Sequence, residues 1–269
     1  EMCIRDRLNG RREIDNPLKI VDGRFEIDFE DLDRKLAEAK VMLFCSPHNP
    51  TGRVFTREEL LRIGELCARH DVKIISDEIH ADLIRPSYRF YSIASLNDDL
   101  AHRTLTLTAP SKTFNIAGLS TSVIIIPDEH LRDRFNTEFA KTHADQGNIF
   151  GTTALEAAYN YGEEWLEEAM QYIDGNIRYV EGFLREHTPR IRHYAQEGTF
   201  LMWLDCRGMG LSQPELLDFW TNRAHIGLND GAAFGQEGVG FMRMNVGTSR
   251  SVVERAMNQL REAYDLLYK

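Results

Sequence analysis

The sequence predicts an α/β large domain built on a mainly parallel sheet, followed by a smaller carboxyl-terminal α+β domain. Three observations lead there. Short apolar runs, VMLFC at 41–45, VKII at 72–75 and TLTLT at 104–108, each end in polar residues (SPHNPTG, SDEIH and APSK), as buried strands feeding loops do. A helical pattern separates the first two runs, so they form a β-α-β unit whose strands are parallel, with their carboxyl ends pointing the same way. After Pro189 the texture changes, and short strands alternate with helices of a different rhythm.

Residues 1–7 (EMCIRDR) match neither domain and read as a non-native scar, leaving 8–165 for the large domain. In TREELLRIGELCARH, Thr56 and Glu59 have capping-box spacing, and Leu60, Ile63, Leu66 and Cys67 follow a helical period. STSVIIIP reads as a further strand, and DEHLRDRFNTEFAK and GTTALEAAYNYG as helices. The long helical stretch EEWLEEAMQYIDGNIRYVEGFLREH ends before Pro189 and has the length of a connector, so residues 166–269 are expected to hold that helix and the small domain. Within it, IRHYAQ, TFLMWLDC and GFMRMNV read as strands. SQPELLDFWTNRA is a helix with a second capping box at Ser212 and Glu215, and a final helix runs from about 251 to 267.

At 269 residues and 42% hydrophobic content the chain can bury a sizeable core. Clean apolar stretches such as Val123 to Ile126 are strand-sized, far short of the roughly 18 residues a membrane span requires, and the charged amino end lacks a secretory apolar region. Cytoplasmic residence is the expectation. Four cysteines lie far apart without a CxxC pair, so neither a disulfide scaffold nor a structural zinc site is expected, and no metal is assigned. A net charge of −10, from 42 acids against 32 bases, lacks the footprint of a nucleic-acid binder and points to a small-molecule ligand.

In open parallel sheets the ligand crevice lies outside the carboxyl ends of the strands, which puts Asn49, Asp77 and Lys112 on one expected rim. Lys112 stands in TLTLTAPSKTFNIAGLS, whose flanks from Thr104 to Asn115 are nearly uncharged, a setting suited to an amine used for Schiff-base chemistry. A cofactor that acidifies an amino acid Cα–H asks the protein for a lysine, an anion at its ring nitrogen and a donor at its ring oxygen. Lys112, Asp77 and Asn49 are of those types, and a carboxylate at Asp77 would keep the pyridine nitrogen of pyridoxal phosphate protonated. His80, three residues after Asp77, can meet the same ring. GQEGVG near 235 lacks the strand-turn-helix context of a dinucleotide loop and reads as a turn, and His80 with Asp82 has no third metal ligand at sensible spacing.

SPHNPTG, SDEIHAD and SKTFNIAGL, in this order, resemble the signature segments of pyridoxal phosphate-dependent enzymes of the class I/II aminotransferase fold (fold type I). PHNPTGRV, ISDEIHADL, APSKTFNIAGL and GEEWLEE resemble, more narrowly, the cystathionine β-lyase-like branch of PatB/MalY-type C–S lyases. The resemblance runs from about Arg7 to the carboxyl end and begins well inside the family's pattern, so an amino-terminal part of the large domain, with its phosphate-cradling loop, is expected to be missing. It implies that Lys112 is the aldimine lysine, Asp77 the partner of the pyridine nitrogen, Asn49 the donor to the ring hydroxyl and Arg243 in GFMRMNVGTSR the grip on the substrate carboxylate. Arg250 is the competitor for that last role. Where aminotransferases of this fold carry a tyrosine, this chain has His80, as the lyase branch tends to. Ala109 and Ser120 stand where those enzymes place a phosphate-binding serine and arginine, leaving the hydroxyls of Thr108 and Ser111 as nearby donors. The implied reaction is α,β-elimination from cystathionine or a cysteine S-conjugate to a thiol, pyruvate and ammonia, in a homodimer. Aminotransfer is the alternative reaction, and a noncatalytic binding or regulatory protein the alternative of another class.

Overall fold

The computed structural model describes residues 8–142 and 147–268, and the reading of residues 1–7 as a scar lies outside them. Backbone pairing sorts the described strands into three sheets. The first is a hairpin of β1 (Lys19–Val21) and β2 (Arg24–Glu26), turned by Asp22 and Gly23. Both turn residues have positive φ, 48° and 79°, as a tight hairpin with right-handed strand twist requires.

The second sheet holds β3 (Val41–Cys45), β4 (Lys73–Asp77), β5 (Thr104–Thr108) and β6 (Val123–Ile125), in that order. β3, β4 and β5 run parallel, and β6 is antiparallel to β5. The register pairs Cys45 with Asp77 and Asp77 with Leu107, so the carboxyl ends of the three parallel strands are level. Between β3 and β4 the helix Arg57–Arg69 is capped as its sequence predicts. The Glu59 amide donates to the Thr56 hydroxyl at 3.2 Å and the Thr56 amide to Glu59 Oε2 at 2.7 Å, worth about 1 kcal/mol. Its buried face is Leu60, Ile63, Leu66 and Cys67.

Ahead of this helix, Arg53 is fully buried, donating to the Val54 carbonyl and to Glu59 while its guanidinium lies 4.9 Å from the centroid of Phe55. His48 packs edge-on against the same ring, and burial, with the Arg53 charge second, pushes its pKa down to about 4. An unfolded His48 takes up a proton near pH 6.5 whereas the folded one stays neutral, so the unfolded state binds more protons between these values. Stability therefore falls as pH drops from about 6.5 to about 4. His48→Gln is expected to flatten this part of the melting-temperature profile, recovering up to about 3 kcal/mol at its acid end; an unchanged profile would contradict a neutral, half-buried imidazole.

The third sheet is antiparallel: β7 (Arg192–His193), β8 (Leu201–Asp205), β9 (Asn229–Asp230) and β10 (Phe241–Asn245), in the order β7-β8-β10-β9. β8 is buried along its whole length. On one face Met202 and Leu204 join Ile177 and Val180 of the helix Glu163–His187, and Met257 and Leu260 of the helix Arg250–Tyr268. On the other face Trp203 stacks on Phe241 at 5.1 Å and packs with Phe25 of β2, which is why the hairpin belongs with this sheet.

Two expected elements are shorter than their sequences suggest. IRHYAQ yields only the two residues of β7, because the following backbone is spent elsewhere: the Ala195 amide donates to the Gly23 carbonyl, and those of Glu197 and Gly198 both donate to Gly52. SQPELLDFWTNRA is α-helical over Gln213–Asp218 and then widens into a π-helical turn at Phe219–Arg223, closed by the Ala224 amide on the Phe219 carbonyl.

Contacts divide the chain into two compact units. One comprises Asp28–His48 and Arg53–Met170 and carries the β3–β6 sheet. The other comprises the described residues up to Ile27, Asn49–Gly52 and the described residues from Gln171 on. The division falls inside the helix Glu163–His187. No helix among the described residues is long and apolar enough to cross a membrane.

Candidate active site

In the unit of the parallel sheet, Asp77 is the last residue of β4, and β5 beside it leads into the short helix Pro110–Thr113 that carries Lys112. Pro110 opens that turn where no backbone donor is needed. An acid and an amine thus leave the same edge of the sheet from neighbouring strands. Lys112 is exposed and Ser111 half-buried. The half-buried Asp77 carboxylate accepts the Ile79 amide at 3.2 Å, and burial raises its pKa against that hydrogen bond. Glu78 is buried, accepts the hydroxyls of Ser76 at 2.9 Å and Ser92 at 3.1 Å, and is likewise raised by burial. His80 is 3% exposed. Asp82 spends one carboxylate oxygen on Thr113 and Tyr159.

In the other unit, Asn49 and Arg243 meet. Arg243, central in β10, donates through Nη1 to Asn49 Oδ1 at 2.8 Å and through Nη2 to Asn229 Oδ1 at 2.9 Å. Its guanidinium lies 4.7 Å from the centroid of Phe234. Because the carbonyl end of the Asn49 side chain is engaged by a cation, its NH₂ end is the one presented elsewhere, as a donor. Arg250, the competing arginine, sits at the start of the last helix with its guanidinium over Tyr179 at 4.8 Å.

Asn229 and Phe234 did not stand out in the sequence. Asn229 matters because β9 pairs with β10 in the register Asn229 to Arg243, a long-range fact without a local signal. Phe234 is held by the segment read as a simple turn, where glycine is required: a Cβ on Gly238 would come within 2.0 Å of the Gly231 carbonyl oxygen.

The family model for aminotransferase class I and II matches residues 16–260. "Cystathionine beta-lyase PatB" of Bacillus subtilis is 42% identical over 257 residues, covering 95% of this chain and 66% of its own length. Among solved structures, a PLP-bound putative aminotransferase from Clostridium difficile superposes with a TM-score of 0.96 at 37% identity, over 98% of this chain and 68% of that one. Cystalysin from Treponema denticola, which contains a pyridoxal 5'-phosphate cofactor, gives 0.95 at 36% identity, over 97% of this chain and 67% of that one. The chain therefore spans about two thirds of the length of the relatives it matches. A match of that extent, with the lysine turn and the strand-end aspartate inside it, leaves no ambiguity of family: the chain belongs to the aminotransferase class I and II family.

Proposed function

We propose that this chain holds pyridoxal phosphate on Lys112 and belongs to a carbon–sulfur β-lyase, which eliminates a thiol from cystathionine or a cysteine S-conjugate and leaves pyruvate and ammonia. The observation that carries the reading is Asp77 at the carboxyl end of β4 together with Lys112 in the turn that follows β5, the parallel strand beside it. The residues fit the group. Burial disfavours the charged form of the Asp77 carboxylate, and a protonated pyridine nitrogen is a cation that would favour it. Asn49 presents an amide donor suited to the ring oxygen, and Ser111 offers a hydroxyl beside Lys112. His80, buried just past Asp77, lines the same strand end.

The bound cofactor supplies an electron sink that makes the Cα–H of an attached amino acid acidic. The chain's residues do the rest. The Lys112 amine takes the Cα proton at Nζ, Asp77 holds the proton on the ring nitrogen, and the Arg243 fork takes the substrate carboxylate bidentately. With the thiolate leaving from Cβ, water hydrolyses the released imine to pyruvate and ammonia, so the reaction consumes water and needs no keto acid.

Lyase chemistry is favoured over aminotransfer by the identity to a cystathionine β-lyase and by His80 standing three residues after Asp77. Incubation with L-cystathionine and pyridoxal phosphate, without a keto acid, separates the two. Sustained release of pyruvate and thiol is the expected result, whereas turnover that stalls until a keto acid is added would reject the lyase. The same reading makes the protein a cytoplasmic homodimer acting on a small-molecule amino-acid substrate, and Cys45, Cys67 and Cys206, which stand outside any disulfide, suit a reducing compartment.

A further inference from the structure

The turn that carries Lys112 is only four residues long, closed by the Phe114 amide on the Pro110 carbonyl at 2.9 Å and followed by the Ile116 amide on Ser111 at 3.2 Å. A helix of one turn has too few hydrogen bonds to hold its own direction, so its bearing is set from outside. Thr113, the next residue, is 2% exposed, and its hydroxyl donates to Asp82 Oδ2 at 2.8 Å. The Tyr159 phenol donates to the same oxygen at 3.2 Å. The Tyr159 ring is also edge-on to Phe114 at 5.3 Å, and Phe114 lies against Trp165 at 6.1 Å. A Cβ on Gly162 would come within 2.5 Å of Phe114 Cε1, so glycine there keeps the aromatic seat open. Polar and aromatic contacts thus converge on Thr113 and Phe114, the two residues after the lysine, from the segment after β4 and from the helix Ile149–Tyr161.

We propose that Asp82 and Tyr159 are positioning residues for Lys112, a carboxylate and a phenol that pin Thr113 and so aim the neighbouring amine at the cofactor carbonyl. They act through Thr113 rather than on the reacting atoms. Asp82 suits the role because one carboxylate oxygen accepts both hydroxyls at once. Displacement of a reacting group by about 1 Å can cost about a hundredfold in rate, so a loosened turn is expected to show in any reaction that requires aim.

The inference rests on Lys112 as the covalent anchor, and the test keeps the two apart. Pyridoxal phosphate condenses with the Lys112 amine with loss of water, and borohydride then delivers hydride to the C=N bond, fixing an adduct that peptide mass spectrometry maps. The rate of adduct formation is compared with the rate of Lys112 acetylation by acetic anhydride, a small reagent that needs no aim. Thr113→Val and Asp82→Ala are expected to slow adduct formation about tenfold and Tyr159→Phe about threefold, with acetylation and melting temperature near the parent. Thr113→Ser, which restores the hydroxyl, is expected to return the adduct rate to that of the parent. Parent-like adduct rates in all variants, or equal slowing of both reactions, would overturn the positioning role while leaving Lys112 as anchor. A parent chain with no adduct at Lys112 would overturn both.

Discussion

Lys112→Ala is expected to abolish covalent retention of pyridoxal phosphate and to lower elimination by at least about 10³-fold. The size follows from the two roles proposed for one amine. As nucleophile it forms the bond that keeps the cofactor in place, and as general base it moves the Cα proton, a function worth roughly 10² to 10⁴ by itself. Alanine at an exposed position in a short turn removes no packed side chain, so the fold should be unaffected and the loss purely chemical. The visible absorption of the parent and the variant after incubation with pyridoxal phosphate and dialysis is the direct measurement. A retained band in the parent that is absent in Lys112→Ala is the expected result. Methylamine added to the variant should recover part of the rate by standing in for the missing base. Identical spectra after dialysis would remove this lysine from the mechanism and favour a noncatalytic binding protein with the same fold.

What made this lysine legible is the physics of a parallel sheet. Short strand-forming runs that each give way to polar loop residues mark the carboxyl edge of such a sheet, so VMLFC, VKII and TLTLT point to the edge where Asp77 and Lys112 lie. The helix Arg57–Arg69 was equally plain, since its cap and its buried stripe are local properties of the sequence. Other features resist local reading. The hairpin β1-β2 has three-residue strands too short for a clear alternation, although Asp22-Gly23 is a hairpin signal. IRHYAQ has the composition of a strand, but residues distant in sequence claim its backbone donors. Asp82 looked like half of an incomplete metal site, and only the packing of the helix Ile149–Tyr161 assigns its carboxylate to Thr113 and Tyr159. The partnership of Arg243 with Asn49, 194 positions apart, is likewise beyond any periodicity.

That partnership gives Arg243 the second-largest expected effect. Arg243→Ala would remove the bidentate carboxylate grip proposed for this residue, two charge-assisted hydrogen bonds together worth about 3 kcal/mol, so KM for L-cystathionine should rise on the order of 10²-fold. If carboxylate binding were all that is lost, kcat would hold, because the grip is equal in ground and transition states. The geometry argues for more. The Nη1 donor that fixes Asn49 disappears with the guanidinium, and an amide freed to rotate offers its oxygen as readily as its NH₂ to the ring oxygen. The cofactor absorption band is therefore expected to shift in Arg243→Ala even without substrate. Arg243→Lys should keep part of the carboxylate affinity through its charge while losing the two-pronged hold on Asn49 and Asn229. A double-mutant cycle with Asn49→Ala decides whether the two residues act as a unit: effects on kcat/KM that fall short of additivity by about 1 kcal/mol or more mark a coupled pair. Strict additivity, with an unshifted absorption band, would mean that the contact is incidental and that Arg243 serves the substrate alone.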